Sequence, residues 1–421
     1  MIKGQGIYNT LSALVPLYVP MILAYGSVQW WKIITPEQCS GINRFVAFFA
    51  SPFLNFYFLA TNNPYTMNLR FIAADTLQKL VILGALFIWS VLTKYGSIDW
   101  TITLFSLCTL PNTVVVGAPL LSAMYGDSSA ILMSHIFIMQ GVVWFTLMLF
   151  LYEYRGARSL ISMQFPENGG SIVSFTIDSD VLSLCDNEPL QTEAEMGENG
   201  EIHVVVKSPS FNKPCNCSTS NRRGTQILSM QRSLSFNTTR DLRDQDFERA
   251  IFEINDEKMW KDTIRNQGLF SFQNPNTYAC ALGFIWSLIS FRWNIKIPLI
   301  VDGSILILSK TGTGMAMFSI GLYMALQPKL VACGNTWAIV SMVARFVVGP
   351  TVIAVTAISI GIRGVLLRIA IIQAALPQSI ITFVFSKQYN LHTDIISTAV
   401  IFGTMISLPI SLLYFVVLGI N

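Results

Sequence analysis

The side chains able to do chemistry in this sequence are few, and each stands out against apolar neighbours. In "RFIAADTLQKLVIL", Asp75 and Lys79 lie four residues apart, so a helix places them on one face where they can pair. An unpaired charge at the centre of a bilayer costs roughly 2.5–3.5 kcal/mol on insertion scales. The couple therefore reads in two ways: as a clamp between packed helices, or as an ionisable pair beside a transport site that exchanges a proton or a partner during a conformational cycle. Arg345 sits deep in a second apolar run with no acid on its own face; a carbonyl or a loop is its expected partner. His135, alone in a third run, reads as a hydrogen-bonded packing residue ahead of a proton relay.

Two further places join a helix breaker to a carboxamide. "TLPNT" holds Pro111 and Asn112, and "ALPQS" holds Pro377 and Gln378. Proline removes a backbone donor and leaves a carbonyl unsatisfied. In lipid such a break is tolerated where protein or a water-filled cavity covers it. Two breaks meeting near the midplane would aim helix N-termini at one point, and their dipole ends and free N–H groups would hold an anion without a buried Lys or Arg. Asn112 reads either as a donor at that point or as a core residue bonded to a neighbouring helix.

Other chemistries find no support. No Gly-x-x-x-x-Gly-Lys-Ser/Thr stretch occurs, so no phosphate-cradling loop for ATP is expected. Of seven cysteines, Cys215 and Cys217 form "PCNCS" without His or Cys partners at ligand spacing. No metal, cofactor or disulfide framework is expected. Nucleophile, base and orienting residue do not occur at useful spacing, so the chain does not read as an enzyme.

The elements that must position these residues are membrane spans. With 52% apolar and 12% charged residues, the chain reads as an all-α polytopic membrane protein. Roughly 17 to 25 mostly apolar residues cross a bilayer, and candidate segments lie near 7–29, 42–60, 71–93, 100–125, 129–152, 277–293, 303–326, 335–361, 364–386 and 394–419. Between the fifth and sixth lies a hydrophilic insert, 153–265, which holds 18 of the 24 acids and 13 of the 27 bases. It carries −5 and the remainder of the chain +8, so the net charge of +3 says little about partners and nucleic acid is not among those expected. The organisation is thus 1–152 with five spans, a largely disordered loop over 153–265, and 266–421 with five more.

Within the loop, "IHVVVK" has the pattern of a short strand, and bases at the junctions (Arg155, Arg158, Lys258, Lys261, Arg265) suggest the cytoplasmic side. Sequons at Asn216 and Asn237 point weakly the other way. Bases precede Thr225, Ser233 and Ser235, which makes protein kinases candidate partners there.

Internal symmetry ties the halves together. Counting back 32 residues from Pro111 and from Pro377 reaches Lys79 and Arg345, and counting forward 41 reaches Tyr152 and Leu418, the ends of the fifth spans. This favours a five-plus-five repeat, and because five is odd the second copy is inverted.

The stretches "NNPYTMNLRFIAADTLQK", "LFSLCTLPNTVVVGAPLLSAMYGD", "NPNTYACALGFIWSL" and "IIQAALPQSIITFVFSKQYNLH" resemble the plant PIN-FORMED auxin efflux carriers over both apolar halves, though not through the insert. The resemblance implies a ten-helix inverted repeat whose broken helices cross at Pro111 and Pro377, scaffold and mobile elements in each half, and a homodimer. It implies export of indole-3-acetate, or a related small aromatic carboxylate, from the cytosol. It places Asn112 at the carboxylate, Asn276 and Ile380 on the pocket wall, and Asp75 with Lys79 at a support site beside the crossover.

Gln378, Ser51 and Phe145 complete the expected binding set. Ser51 stands where the family usually has an aliphatic residue and Phe145 where a tyrosine is common. Ser379 and Thr382 replace a glycine and a second proline, and Lys310 replaces an aspartate. The expected location is the plasma membrane, with the endoplasmic reticulum as alternative. Two alternative functions fit the same residues: a sodium- or proton-coupled organic-anion carrier, and a non-transporting membrane sensor.

Overall fold

The structure is a computed structural model that describes residues 4–94, 96–164, 172–177, 191–196, 202–207, 275–327 and 331–420. It comprises two units, 1–155 with 268–421, and 156–267. In the smaller unit three strands, β1 (Ile172–Ile177), β2 (Gln191–Met196) and β3 (Ile202–Lys207), form a sheet in the order β1-β3-β2. β3 pairs parallel with β1 and antiparallel with β2. β3 is the "IHVVVK" stretch; Cys215, Asn216, Cys217, Thr225, Ser233, Ser235 and Asn237 lie outside the described residues.

The larger unit is helical. Its first part holds α1 (Gly4–Gln29), α2 (Pro36–Phe45), α3 (Ser51–Ala60), α4 (Leu69–Leu92), α5 (Ile98–Thr109), α6 (Ala118–Tyr125), α7 (Asp127–Met139) and α8 (Phe145–Gln164). Its second holds α9 (Pro275–Trp293), α10 (Leu299–Leu326), α11 (Asn335–Val343), α12 (Gly349–Ser359), α13 (Gly364–Ala374), α14 (Ile380–Gln388) and α15 (Thr393–Ile420). Six described helices are long and apolar enough to cross a membrane: α1, α4, α7 continued by α8, α10, α11 continued by α12, and α15. The expected segments 100–125 and 364–386 each divide into two shorter helices, and 42–60 and 277–293 are helical as α2–α3 and α9.

Side-chain caps fix several starts: Asn68 accepts from the Phe71 N–H at α4, and Ser97 from the Trp100 N–H at α5. Among the described residues, five-residue π turns join helices at Val46–Ala50, Gln140–Trp144 and Ala344–Val348, and one at Thr113–Gly117 leads into α6. Three of them are followed by one small residue and then a proline: Ser51-Pro52, Ala118-Pro119 and Gly349-Pro350. A proline ring clashes with the carbonyl one turn back and offers it no N–H. Widening the turn before the proline relieves both, and it redirects the side chains of the widened turn.

The helices pack in two groups. α10 lies along α1 and α3, and α9 packs on α3. The second group joins α4 to α5 and α12, α6 to α7, α12 to α13, and α15 to α11 and α14. Contacts of α1 with α6 and of α3 with α7 connect the groups. Close approach in the first group depends on α10 glycines: a Cβ on Gly321 would collide with the Met21 carbonyl, and one on Gly312 would stand 2.6 Å from the Ala50 carbonyl oxygen.

Near the C-terminal part of α8, polar groups tie α5, α8 and the turn before α15 together. Arg155 donates to both oxygens of Asp99, at 3.0 and 3.2 Å, and to the Tyr389 carbonyl at 3.2 Å. Tyr389 donates its hydroxyl hydrogen to Glu153. Arg155, one of the junction bases, is thus half-buried in a bidentate pair. His392, in the left-handed region at φ 42°, lies over Trp100 with ring centres 4.2 Å apart, and its Nδ1 is 2.8 Å from the Thr103 hydroxyl. Trp100 in turn stacks on Trp337.

Two outcomes follow. Gly321→Val is expected to lower stability by about 1–3 kcal/mol through overpacking, read as a lower unfolding midpoint in detergent. Gly314→Ala, at a position with nothing within 4 Å of an added Cβ, should leave the midpoint nearly unchanged. His392 supplies the second. Burial pushes its pKa below the ordinary histidine value, with Asp99 opposing and Arg155 reinforcing the shift. The unfolded chain therefore binds this proton at higher pH than the folded one, so the stabilisation is present above about pH 6.5 and is lost as pH falls below it. Unfolding midpoints measured between about pH 7.5 and 5 should fall less steeply for His392→Gln than for the wild type.

Candidate functional site

The two prolines meet. Pro111 and Gln378 form an antiparallel bridge, with the Asn112 N–H donating to the Pro377 carbonyl at 2.9 Å and the Ser379 N–H to the Leu110 carbonyl at 3.0 Å. One rung of sheet thus joins the gap between α5 and α6 to the gap between α13 and α14. This satisfies four backbone groups that no helix can serve there. The Pro111 carbonyl accepts from the Thr113 N–H at 3.1 Å and from Gln140 Nε2 at 2.8 Å. In a continuous helix the Leu107 carbonyl would bond residue 111, and proline has no N–H to give. Arg345 Nη1 takes that place at 3.1 Å, while its Nε donates to the Leu376 carbonyl at 2.6 Å. Arg345 is 1% exposed, and its partners are carbonyls as expected.

The support pair lies beside this joint. Lys79 bonds Asp75 Oδ2, and both residues are buried. Gln373 Nε2 donates to Asp75 Oδ1 at 3.2 Å, which links α13 to α4. Lys79 Nζ also stands 5.5 Å from the centre of the Trp144 ring. Gln78 donates to the Gly349 carbonyl at 2.9 Å, and a Cβ on Gly349 would come 2.7 Å from the Cys108 carbonyl oxygen. α4, α5 and α12 therefore pack at backbone distance around the break.

A cavity of about 900 Å³, counting its open mouth, lies between the two helix groups. Its walls come from α2, α3, α9 and α10 on one side, and from the start of α6, α7, α8 and α14 on the other. No described residue that lines it is charged; its polar groups are hydroxyls and carboxamides. Asn112 stands at its head. Its Oδ1 accepts from the Val115 N–H at 3.3 Å and so caps the turn that leads into α6. Its Nδ2 is buried and has no hydrogen-bond partner among the described residues. What Asn112 presents is a donor. Ser379 precedes α14 without making a side-chain cap, and Thr113, Ile380 and Ile381 line the cavity, so the starts of both helices face it.

Of the expected binding residues, Asn112, Asn276, Ser51, Phe145 and Ile380 line the cavity, as does Pro111. Asn276 is a strut: its Oδ1 accepts from Asn55 at 3.1 Å and its Nδ2 donates to the Ala47 carbonyl at 3.2 Å. Phe145 meets Phe385 edge-on, with ring centres 6.1 Å apart. Gln378 is turned away from the cavity. It is fully buried and its Nε2 bonds the Ser106 carbonyl, the Ser106 hydroxyl and Thr382 Oγ1 at 2.8–3.1 Å. Thr382 passes the bond on to the Ser379 carbonyl at 2.6 Å. Of the two departures, Thr382 supplies this polar tie while Ser379 contributes only its backbone carbonyl, and alternation along the rung puts the Gln378 and Asn112 side chains on opposite faces of it.

Pro377 sits at the crossing but not on the cavity wall. Lys310 is exposed on α10. His135 is buried with neither ring nitrogen partnered among the described residues, so the hydrogen bond expected for it is not formed there.

Sequence reasoning missed Gln140, Tyr323, Asn55 and the Asn43–Ser319 bond of 2.7 Å, all at the cavity. Gln140 and Ala47 both sit in π turns. For the turn holding Ala47 the small-residue-plus-proline pair was a readable signal; for Gln140 none was.

A family profile described as membrane transport protein matches residues 10–415. The chain is 42% identical to probable auxin efflux carrier component 1d of Oryza sativa subsp. japonica. It is 38% identical to auxin efflux carrier component 2 and 38% identical to component 1 of Arabidopsis thaliana. Each alignment covers 100% of this chain and 100% of the relative.

Breaking the buried pair tests its structural weight. Asp75→Asn leaves the Lys79 ammonium without its counter-charge and is expected to cost about 3–5 kcal/mol. The double variant Asp75→Asn/Lys79→Met should recover much of that loss. Denaturation in detergent, arranged as a double-mutant cycle, measures the difference.

Proposed function

The chain belongs to the auxin efflux carrier family of membrane transport proteins, and on that premise we propose that it exports the indole-3-acetate anion from the cytosol across the plasma membrane by alternating access. The observation that carries the reading is Asn112. A buried amide nitrogen without a partner, held by its own capping oxygen at the head of an uncharged cavity, suits a carboxylate oxygen. Aromatic and aliphatic walls formed by Phe137, Phe145, Phe385 and Ile380 suit an indole ring.

The proposed architecture is ten spans in a five-plus-five inverted repeat, with α5–α6 and α13–α14 as the crossing helices, in a homodimer. The antiparallel rung between the two breaks supports it. Movement of one helix group against the other would expose the cavity to each side in turn. With the cytosol negative, each anion moved outward gains roughly 2.3 kcal/mol per 100 mV, so no nucleotide or metal is called for. The second reading, a sodium- or proton-coupled carrier, draws on the buried Asp75, whose two oxygens already hold Lys79 and Gln373.

Transport in liposomes at a defined potential decides between them. Labelled indole-3-acetate should leave faster as the interior is made more negative, with no change when sodium and proton gradients are collapsed. Asn112→Ala should slow it about ten- to a hundredfold, the loss of a hydrogen bond to a charged group, while the unfolding midpoint drops only by what the lost cap costs, about 0.5–2 kcal/mol. Flux that follows either ion gradient would favour the coupled carrier. A wild type that moves no carboxylate under any gradient would point to a sensor.

A further inference from the structure

The described residues of the cavity wall are uncharged, but the polar core beside it is not. Asp75 carries one negative charge, and its two oxygens are occupied by Lys79 and Gln373. Lys79 and Arg345 carry two positive charges. The ion pairs among the described residues are Lys79–Asp75 and Arg155–Asp99, so no described carboxylate lies within salt-bridge distance of Arg345. A guanidinium stays charged at any physiological pH. Asp75, Lys79 and Arg345 together therefore hold one uncompensated positive charge, and Arg345 Nη2 is buried with no partner among the described residues.

That charge is wired to the head of the cavity. Arg345 Nε holds the Leu376 carbonyl, and the next carbonyl along the chain, that of Pro377, accepts the Asn112 N–H. The Asn112 side chain by itself is a poor judge of charge, because an N–H donor serves the oxygen of a neutral amide as readily as it serves a carboxylate oxygen. A fixed cation in a poorly screened interior does discriminate, since only the charged ligand feels it.

We propose that Arg345 is the residue that makes this site prefer anions over neutral ligands of the same shape. It acts through the crossover as a positioning residue and does not contact the ligand. The inference rests on the reading of the cavity as a carboxylate site, and a bound carboxylate brings the net charge of this core to zero.

The test compares each carboxylate with its neutral amide on the purified full chain: indole-3-acetate against indole-3-acetamide, and phenylacetate against phenylacetamide as an independent pair. The wild type is expected to favour the carboxylate. Arg345→Gln should lower the ratio of carboxylate to amide affinity by roughly tenfold or more, beyond any loss common to both ligands from the freed Leu107 and Leu376 carbonyls. Arg345→Lys keeps the charge and should keep the preference, with a lower unfolding midpoint from the lost fork. It also carries the test alone if Arg345→Gln does not fold, because parity in Arg345→Lys overturns the proposal.

Equal weakening of both ligands in Arg345→Gln would mean a purely structural role and would also overturn it, as would an unchanged ratio. Preference for phenylacetate but not indole-3-acetate, abolished in Arg345→Gln, would sustain the inference while removing the auxin reading. A wild type with no preference for either carboxylate overturns the inference outright.

Discussion

A backbone carbonyl stripped of its helical partner inside a bilayer has no water to turn to, and most of the site exists to satisfy a handful of such groups. Pro111 creates the first by withholding the N–H that Leu107 would use. Arg345 supplies a replacement from another helix, and Gln140 covers the Pro111 carbonyl itself. The gap after α13 is served in the same way, by Arg345 at Leu376 and by the Asn112 N–H at Pro377. Each substitute donor comes from a different element. The breaks therefore bind α5, α7, α11 and α13 into one cooperative unit rather than weakening it.

Within that unit α7 reaches the cavity, where with the start of α6, α8 and α14 it forms one wall, and α10 with the helices grouped around it forms the other. The walls differ in kind. On one side, glycines at 312 and 321 let α10 approach α1 and α3 until backbone meets backbone. On the other, buried polar groups span between helices: Gln373 to Asp75, Gln78 to the Gly349 carbonyl, Gln378 to Ser106. Close apolar packing resists shear, while directional polar ties hold the interrupted backbone in one geometry. A cavity between two internally stiff bodies suits a carrier that must change its accessibility without dissolving its binding site.

The π turns show where reading a linear pattern succeeds and where it stops. Ser51-Pro52, Ala118-Pro119 and Gly349-Pro350 are visible as small-residue and proline pairs inside apolar runs, and each follows a widened turn. Their consequence was not visible. Arg345 could be read as a base in need of a carbonyl, but which carbonyls it reaches depends on the extra residue in its turn and on where α5 lies. Gln140 sits in a π turn with no proline after it, and a lone glutamine in an apolar run carries no period or spacing to mark it. Gln378 was legible as a carboxamide beside a proline, yet its side chain faces Ser106 and not the cavity, because one residue's shift along an extended rung reverses the facing.

By itself the sequence determined the class of the molecule, the approximate course of its apolar helices, the pairing of Asp75 with Lys79, and the two breaks. Those features depend on composition, on i to i+4 spacing and on proline's missing N–H, all of which are local along the chain. Tertiary structure decided which broken ends pair, which carboxamide keeps a free donor, and where an unpaired guanidinium comes to rest. Each of these depends on distances between residues 29 to 298 positions apart, set by how the helices pack, and no local pattern encodes that packing.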